Sequence, residues 1–138
     1  MKYLHAMIRV KDVEKSLAFY RDSLGLVLTR HKDYKAGRFS LYYLATEVGE
    51  PEIELTHNWD EAEYSSGNAF GHLAFRVENI YETCEKLESR GVTILRPPRD
   101  GHMAFVKDPS GISIELLQEG ESLPEHDKWK NRESVGSW

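Results

Sequence analysis

Four side chains in this sequence are of the types that hold a divalent transition metal without thiolate: His5, Glu54, His72 and Glu115. Imidazole nitrogen and carboxylate oxygen are the donors such an ion takes when cysteine is not used. Each histidine stands early in an alternating stretch. Each glutamate is the centre of an Ile-Glu-Leu triplet, Ile53-Glu54-Leu55 and Ile114-Glu115-Leu116. In a strand the flanking apolar residues point one way and the glutamate the other. All four candidates therefore fall opposite the apolar faces of their strands, on the side a cleft would occupy. Two nitrogens and two oxygens, with water completing the shell, suit an octahedral Ni²⁺, Co²⁺ or Mn²⁺, or an expanded Zn²⁺ site. Such an ion polarises a carbonyl or hydroxyl oxygen. One carboxylate then removes the proton acidified on the neighbouring carbon and returns it elsewhere, while the metal stabilises the enediolate charge. Moving a proton beside a carbonyl is isomerisation and needs no redox cofactor; the chain offers no GxGxxG or phosphate loop for one. It also has no HExxH or CxxC motif, so the metal signal is positional symmetry.

That symmetry comes from an internal repeat. Leu4–Val10 reads as a strand with Leu4, Ala6, Ile8 and Val10 on one face and His5, Met7 and Arg9 on the other. Asp12 caps a helix carrying Val13, Leu17, Tyr20 and Leu24 at helical spacing, and Gly25 stops it. Three strands follow, Leu26–His31, Phe39–Ala45 and Glu52–Thr56, the first two joined by a hairpin over Lys32–Arg38. After a polar connector, Asn58–Asn68, the order starts again. His72 matches His5 at an offset of 67 residues (72 − 5), Arg76 matches Arg9, and Asn79 matches Asp12 as the cap. Gly91 ends the second helix, and Val92–Leu95, His102–Lys107 and Ile112–Leu117 are its three strands, with a turn at Asp108-Pro109-Ser110-Gly111. Glu115 matches Glu54 at an offset of 61 (115 − 54), so the second unit has shorter hairpins. The fold class is α+β, two βαβββ modules in tandem, each with one sheet face free to line a cleft.

Composition limits the rest. The chain has 138 residues, 40% hydrophobic and 30% charged, which fits one domain made of two small halves. A net charge of −5 argues against nucleic acid as a partner. No apolar run reaches the ~20 residues of a membrane helix, and no leader-like segment opens the sequence. One cysteine, Cys84, excludes an internal disulfide framework; it fits a reducing cytoplasm. Cys84 falls on the core face of the second helix and reads as inert. Residues 119–138 are polar, contain Pro124 and show no periodicity. They read as a loose C-terminal tail that Trp129 and Trp138 could pin to a surface.

Leu4–Val10, the run Ile53-Glu54-Leu55-Thr56-His57-Asn58-Trp59, Gly71-His72 and the pair Asp108–Gly111 with Ile114–Leu116 resemble glyoxalase I of the vicinal oxygen chelate superfamily. The likeness covers residues 1–118 as one domain of two repeats, about 1–57 and 68–118. It implies a homodimer with metal sites at the subunit interface. It also implies metal-dependent isomerisation of the methylglyoxal–glutathione hemithioacetal to S-lactoylglutathione, a methylglyoxal detoxification. By this resemblance His5, Glu54, His72 and Glu115 hold the metal. Glu115 is the main proton donor and acceptor, with Glu54 assisting. Arg9, Asn58, His102 and Met103 contact glutathione, the co-substrate. A histidine at position 5 in a short chain resembles the nickel- or cobalt-preferring form, with zinc as the other choice. Asn68 replaces an arginine that clamps a glutathione carboxylate in some members, and the Pro97–Phe105 segment is short. Two other readings stay open: another lyase or epimerase of the superfamily, acting for instance on an acyl-CoA, and a metal-free drug-binding protein. His57 is open between a place near the metal shell and a surface turn, Arg76 reads as a relic of the symmetry, and Tyr34, Tyr42 and Tyr43 read as sheet packing.

Overall fold

The computed structural model describes residues 1–60 and 63–138; part of the connector expected over Asn58–Asn68 thus lies outside the described residues. The chain divides into two compact units, Met1–Ser65 and Ser66–Trp138.

The first unit runs β1 (His5–Arg9), α1 (Val13–Leu17), a π-helical turn (Ala18–Ser23), β2 (Val27–Tyr34), β3 (Phe39–Ala45) and β4 (Glu52–Asn58). Asp12 caps α1 as expected, its carboxylate accepting from the Lys15 backbone N–H at 3.0 Å. The single helix expected through Leu24 instead widens after Leu17. The Leu24 N–H reaches back five residues to the Phe19 carbonyl at 2.9 Å, the bond of a π-bulge, and Gly25 then turns the chain at φ +82°. The strands form one sheet in the order β1-β4-β3-β2, with β1 and β4 parallel and the other pairs antiparallel. Strand β2 extends to Tyr34, so the hairpin loop is shorter than the Lys32–Arg38 expected. Ile8, Val10, Leu17, Tyr20, Leu44, Ile53 and Leu55 are buried and make the core of this unit. Leu4, expected to join them, lies outside β1 and is exposed.

The second unit runs β5 (His72–Val77), α2 (Ile80–Ser89), β6 (Met103–Lys107) and β7 (Ser113–Gln118), with sheet order β5-β7-β6. The strand expected at Val92–Leu95 does not form; only Arg96 bridges to Phe105. The Val92 N–H bonds instead to the Leu87 carbonyl at 3.0 Å, and the Leu95 carbonyl accepts from the Val135 N–H at 2.9 Å; beyond Arg96, Pro97 and Pro98 have no N–H to continue a ladder. Asn79 caps α2, accepting from the Tyr81 and Glu82 N–H groups. Ile80, Cys84 and Leu87 on α2 and Ile114 and Leu116 on β7 are fully buried. Burial pushes the Cys84 thiol up to about 12, so it stays a neutral thiol.

Gln118 locks the start of α2 to the end of β7. Its Oε1 accepts from the buried Ile80 N–H at 2.8 Å, and its Nε2 donates to the Glu78 and Glu119 carbonyls at 2.7 and 3.0 Å. Gln118→Leu is expected to lower stability by about 1–3 kcal/mol, because a buried donor and acceptors lose their partners. Urea unfolding measures it.

Residues 119–138 are not a loose terminus. The Leu123 N–H donates to the Gly101 carbonyl at 3.0 Å, the Tyr81 hydroxyl to the Pro124 carbonyl at 2.8 Å, and the Val135 N–H to the Leu95 carbonyl at 2.9 Å. Trp129 is fully buried. Lys128 and Arg132 lie over its ring and pair with glutamates of α2. Gly101 is required where the tail crosses: it has φ +67°, and a Cβ there would run into the Leu123 carbonyl oxygen. Among the described residues no helix is long and apolar enough to cross a membrane.

Candidate metal and substrate site

Strand register fixes which side chains share a face. In the first unit Met7 aligns with Glu54, and Glu54 with Tyr43. With period-2 alternation, His5, Met7, Arg9, Glu52, Glu54, Asn58 and Tyr43 lie on the face opposite the helical side. His5 reaches Glu54 diagonally, Nε2 to Oε2 at 2.9 Å. The Tyr43 ring packs edge-on against the imidazole, centroids 6.1 Å apart. The Arg30 guanidinium covers the Tyr43 ring at 3.6 Å.

The second unit repeats this arrangement. Ala74 aligns with Glu115, and Glu115 with Phe105. His72 Nε2 lies 3.1 Å from Glu115 Oε2. The Phe105 ring packs edge-on against His72 at 5.3 Å. Each unit therefore carries one histidine–glutamate pair with an aromatic ring steering the imidazole. Among the described residues of one chain, no three or more His, Cys, Asp or Glu side chains gather as a metal cage would. The structure brings the four sequence candidates together as two pairs, each with the nitrogen and oxygen donors a divalent ion takes.

The two pairs differ in their surroundings. Beside His5 stands a second carboxylate, Glu52, where the second unit has Ser113. Hydrogen bonds from Arg30 and from the Thr29 hydroxyl hold the Glu52 carboxyl below its usual range, so it remains an anion. Burial, and then the nearby Glu54 charge, raise the Tyr43 phenol above its usual range. A cavity of about 330 Å³ opens next to His5, lined by Lys2, Tyr3, Arg30, Val48, Glu50 and Glu52 among others.

Comparison with known proteins gives the family. Residues 2–116 match the model of the Glyoxalase/Bleomycin resistance protein/Dioxygenase superfamily. The chain belongs to that superfamily. Within it, the chain is 48% identical over 125 residues to a probable lactoylglutathione lyase of Synechocystis, covering 86% of this chain and 95% of the relative. It is 45% identical to a lactoylglutathione lyase of Neisseria meningitidis serogroup A, covering 86% and 91%. Among solved structures it resembles the trypanothione-dependent glyoxalase I of Leishmania major, with a TM-score of 0.82 and 36% identity over 86% of this chain and 87% of that one.

The remaining candidates of this glyoxalase-superfamily chain fall as follows. Arg9 lies exposed on the same face as His5, four residues along β1. Asn58 shares that face, and its Nδ2 donates to the Tyr64 hydroxyl at 3.2 Å. His102 and Met103 are held by Asp100, whose Oδ1 accepts from both their N–H groups at 3.0 and 3.1 Å. Burial works against the Asp100 charge, yet the Arg96 guanidinium and these two N–H groups outweigh it and hold its carboxyl well below the usual range. The His102 Nδ1 is buried with no hydrogen-bond partner. Met103 shares the Phe105 face of β6. Arg76 lies exposed on the His72 face of β5.

His57 is away from the site. It has the parity of Ile53 and Leu55, and its Nδ1 lies 3.3 Å from the Val10 carbonyl on the helical side. The aromatic pair Tyr43 and Phe105 was missed as a repeat feature. Both lie on the penultimate strand of their unit, but they differ in residue type and stand 62 apart (105 − 43), one more than the glutamates.

Proposed function

We propose that the protein is a glyoxalase I, converting the hemithioacetal of methylglyoxal and glutathione to S-lactoylglutathione. The observation that carries this reading is the matched pair of half-sites, His5–Glu54 and His72–Glu115, one on the open sheet face of each module. A divalent ion needs more donors than one pair supplies. In this reading His5 and Glu54 of one copy join His72 and Glu115 of a second copy, so the enzyme is a homodimer and residues 1–118 act as one two-repeat domain. The relatives named lactoylglutathione lyase support the activity.

The bound ion, Ni²⁺ or Co²⁺ with Zn²⁺ as the other choice, would supply charge stabilisation to two neighbouring substrate oxygens. The chain's own carboxylates move the proton. Glu115 takes it from the carbon bearing sulfur and hydroxyl and delivers it to the adjacent carbon, which began as the ketone; Glu54 assists from the other face. The edge-on rings of Tyr43 and Phe105 hold the two imidazoles in place. Arg9 and Asn58, on the His5 face, and His102 and Met103, at the start of β6, are assigned to the thiol co-substrate. The arginine pairs a carboxylate. The single buried cysteine fits a cytoplasmic enzyme.

The test is a metal-by-thiol matrix on apo protein, following thioester absorbance. Methylglyoxal with glutathione is expected to give thioester when Ni²⁺ or Co²⁺ is present, and none after chelation. Trypanothione belongs in the matrix because the Leishmania relative depends on it. Absence of thioester with glutathione under every metal would remove the proposal, and epimerisation of an acyl-CoA in its place would favour another lyase of the superfamily.

A further inference from the structure

The family match ends at residue 116, yet residues beyond it pack along the second unit and bring Trp138 to the candidate site. The Trp138 indole stacks on Phe105 with centroids 5.7 Å apart and planes 24° apart. Phe105 in turn packs edge-on against His72. Phe105 projects from the open face of its sheet, where an aromatic ring is exposed unless something covers it; it is only 7% exposed.

The first module shows what this cover replaces. There the matching ring, Tyr43, lies under Arg30, which β2 carries beside β3. The second module has no complete strand at that edge, only the Arg96–Phe105 bridge. The tail runs into the gap: Val135 bonds to Leu95, Arg99 donates to the Arg132 carbonyl at 2.8 Å, and Trp138 lies over Phe105.

We propose that Trp138 is a positioning residue for the second half-site. The docked tail delivers the indole onto Phe105, and Phe105 holds the His72 imidazole in the orientation that presents Nε2 beside Glu115. The tail thus does for module two what β2 and Arg30 do for module one. The inference rests on the reading that His72 and Glu115 hold the metal.

The experiment titrates full-length apo protein with Ni²⁺ against a chelating dye, for wild type, Trp138→Ala, Trp138→Phe and His72→Ala. Loss of a group that orients a metal-binding histidine weakens metal affinity by roughly tenfold or more. Trp138→Ala is expected to show that loss at an unchanged thermal midpoint, with a changed Co²⁺ absorption spectrum. Trp138→Phe, which keeps a ring over Phe105, is expected to restore both. Wild-type Ni²⁺ affinity in Trp138→Ala, with His72→Ala impaired, overturns the role of Trp138 and leaves the metal reading standing. Wild-type affinity in His72→Ala overturns the metal reading and this inference with it.

Discussion

Replacing Glu115 by glutamine is expected to lower kcat by about 10² to 10⁴-fold, the usual worth of a positioned general base. The substitution keeps shape and an oxygen donor but removes the group that can take and return a proton. It also removes a negative charge from the surroundings of the proposed ion. The fold is expected to survive. Glu115 is half-buried on the open face of β7, while its neighbours Ile114 and Leu116, both fully buried, carry the packing. A thermal midpoint near wild type is therefore part of the expected result. Glu54→Gln, at the matching place in the other module, is expected to cost less if Glu54 only assists. Full activity in Glu115→Gln would show that the base is assigned wrongly.

The parts of this site legible in the sequence were those set by period-2 alternation. The parity of their neighbours alone puts His5, Glu54, His72 and Glu115 opposite the apolar faces of their strands, and the strands form with that parity. The same parity carried the signal that His57 faces away, since it falls in step with Ile53 and Leu55. What could not be read locally depends on partners distant in sequence. The edge-on rings of Tyr43 and Phe105 follow from β3–β4 and β6–β7 register. At Val92–Leu95 the expected strand gives way to bonds with other segments: the Val92 N–H goes back to the Leu87 carbonyl, and the Leu95 carbonyl accepts from the Val135 N–H. The π-helical turn after Leu17 keeps the apolar spacing of an α-helix, so periodicity gave no warning. The tail has no apolar period at all; a single buried tryptophan, the ion pairs to α2 and isolated backbone bonds hold it in place. Its one sequence signal was the pair of tryptophans in an otherwise polar stretch.

The second large effect is complementation between two inactive chains. In the proposed dimer each site takes one pair from module one of one copy and one pair from module two of the other. A chain carrying His5→Ala with Glu54→Gln has a dead first module, and a chain carrying His72→Ala with Glu115→Gln has a dead second module. Either alone is expected to be inactive. A heterodimer of the two holds one site built only from dead modules and one built only from intact ones. Random mixing makes roughly half of the dimers heterodimers, so about a quarter of wild-type specific activity is expected to return.

The most direct measurement is therefore the thioester-forming rate of the two double variants, assayed separately and after co-refolding with Ni²⁺. Activity that is absent in each and reappears on mixing is what the half-site account requires. A mixture as dead as its components would mean that each site is completed within one chain, and turnover by either variant alone would mean that a single module's pair suffices.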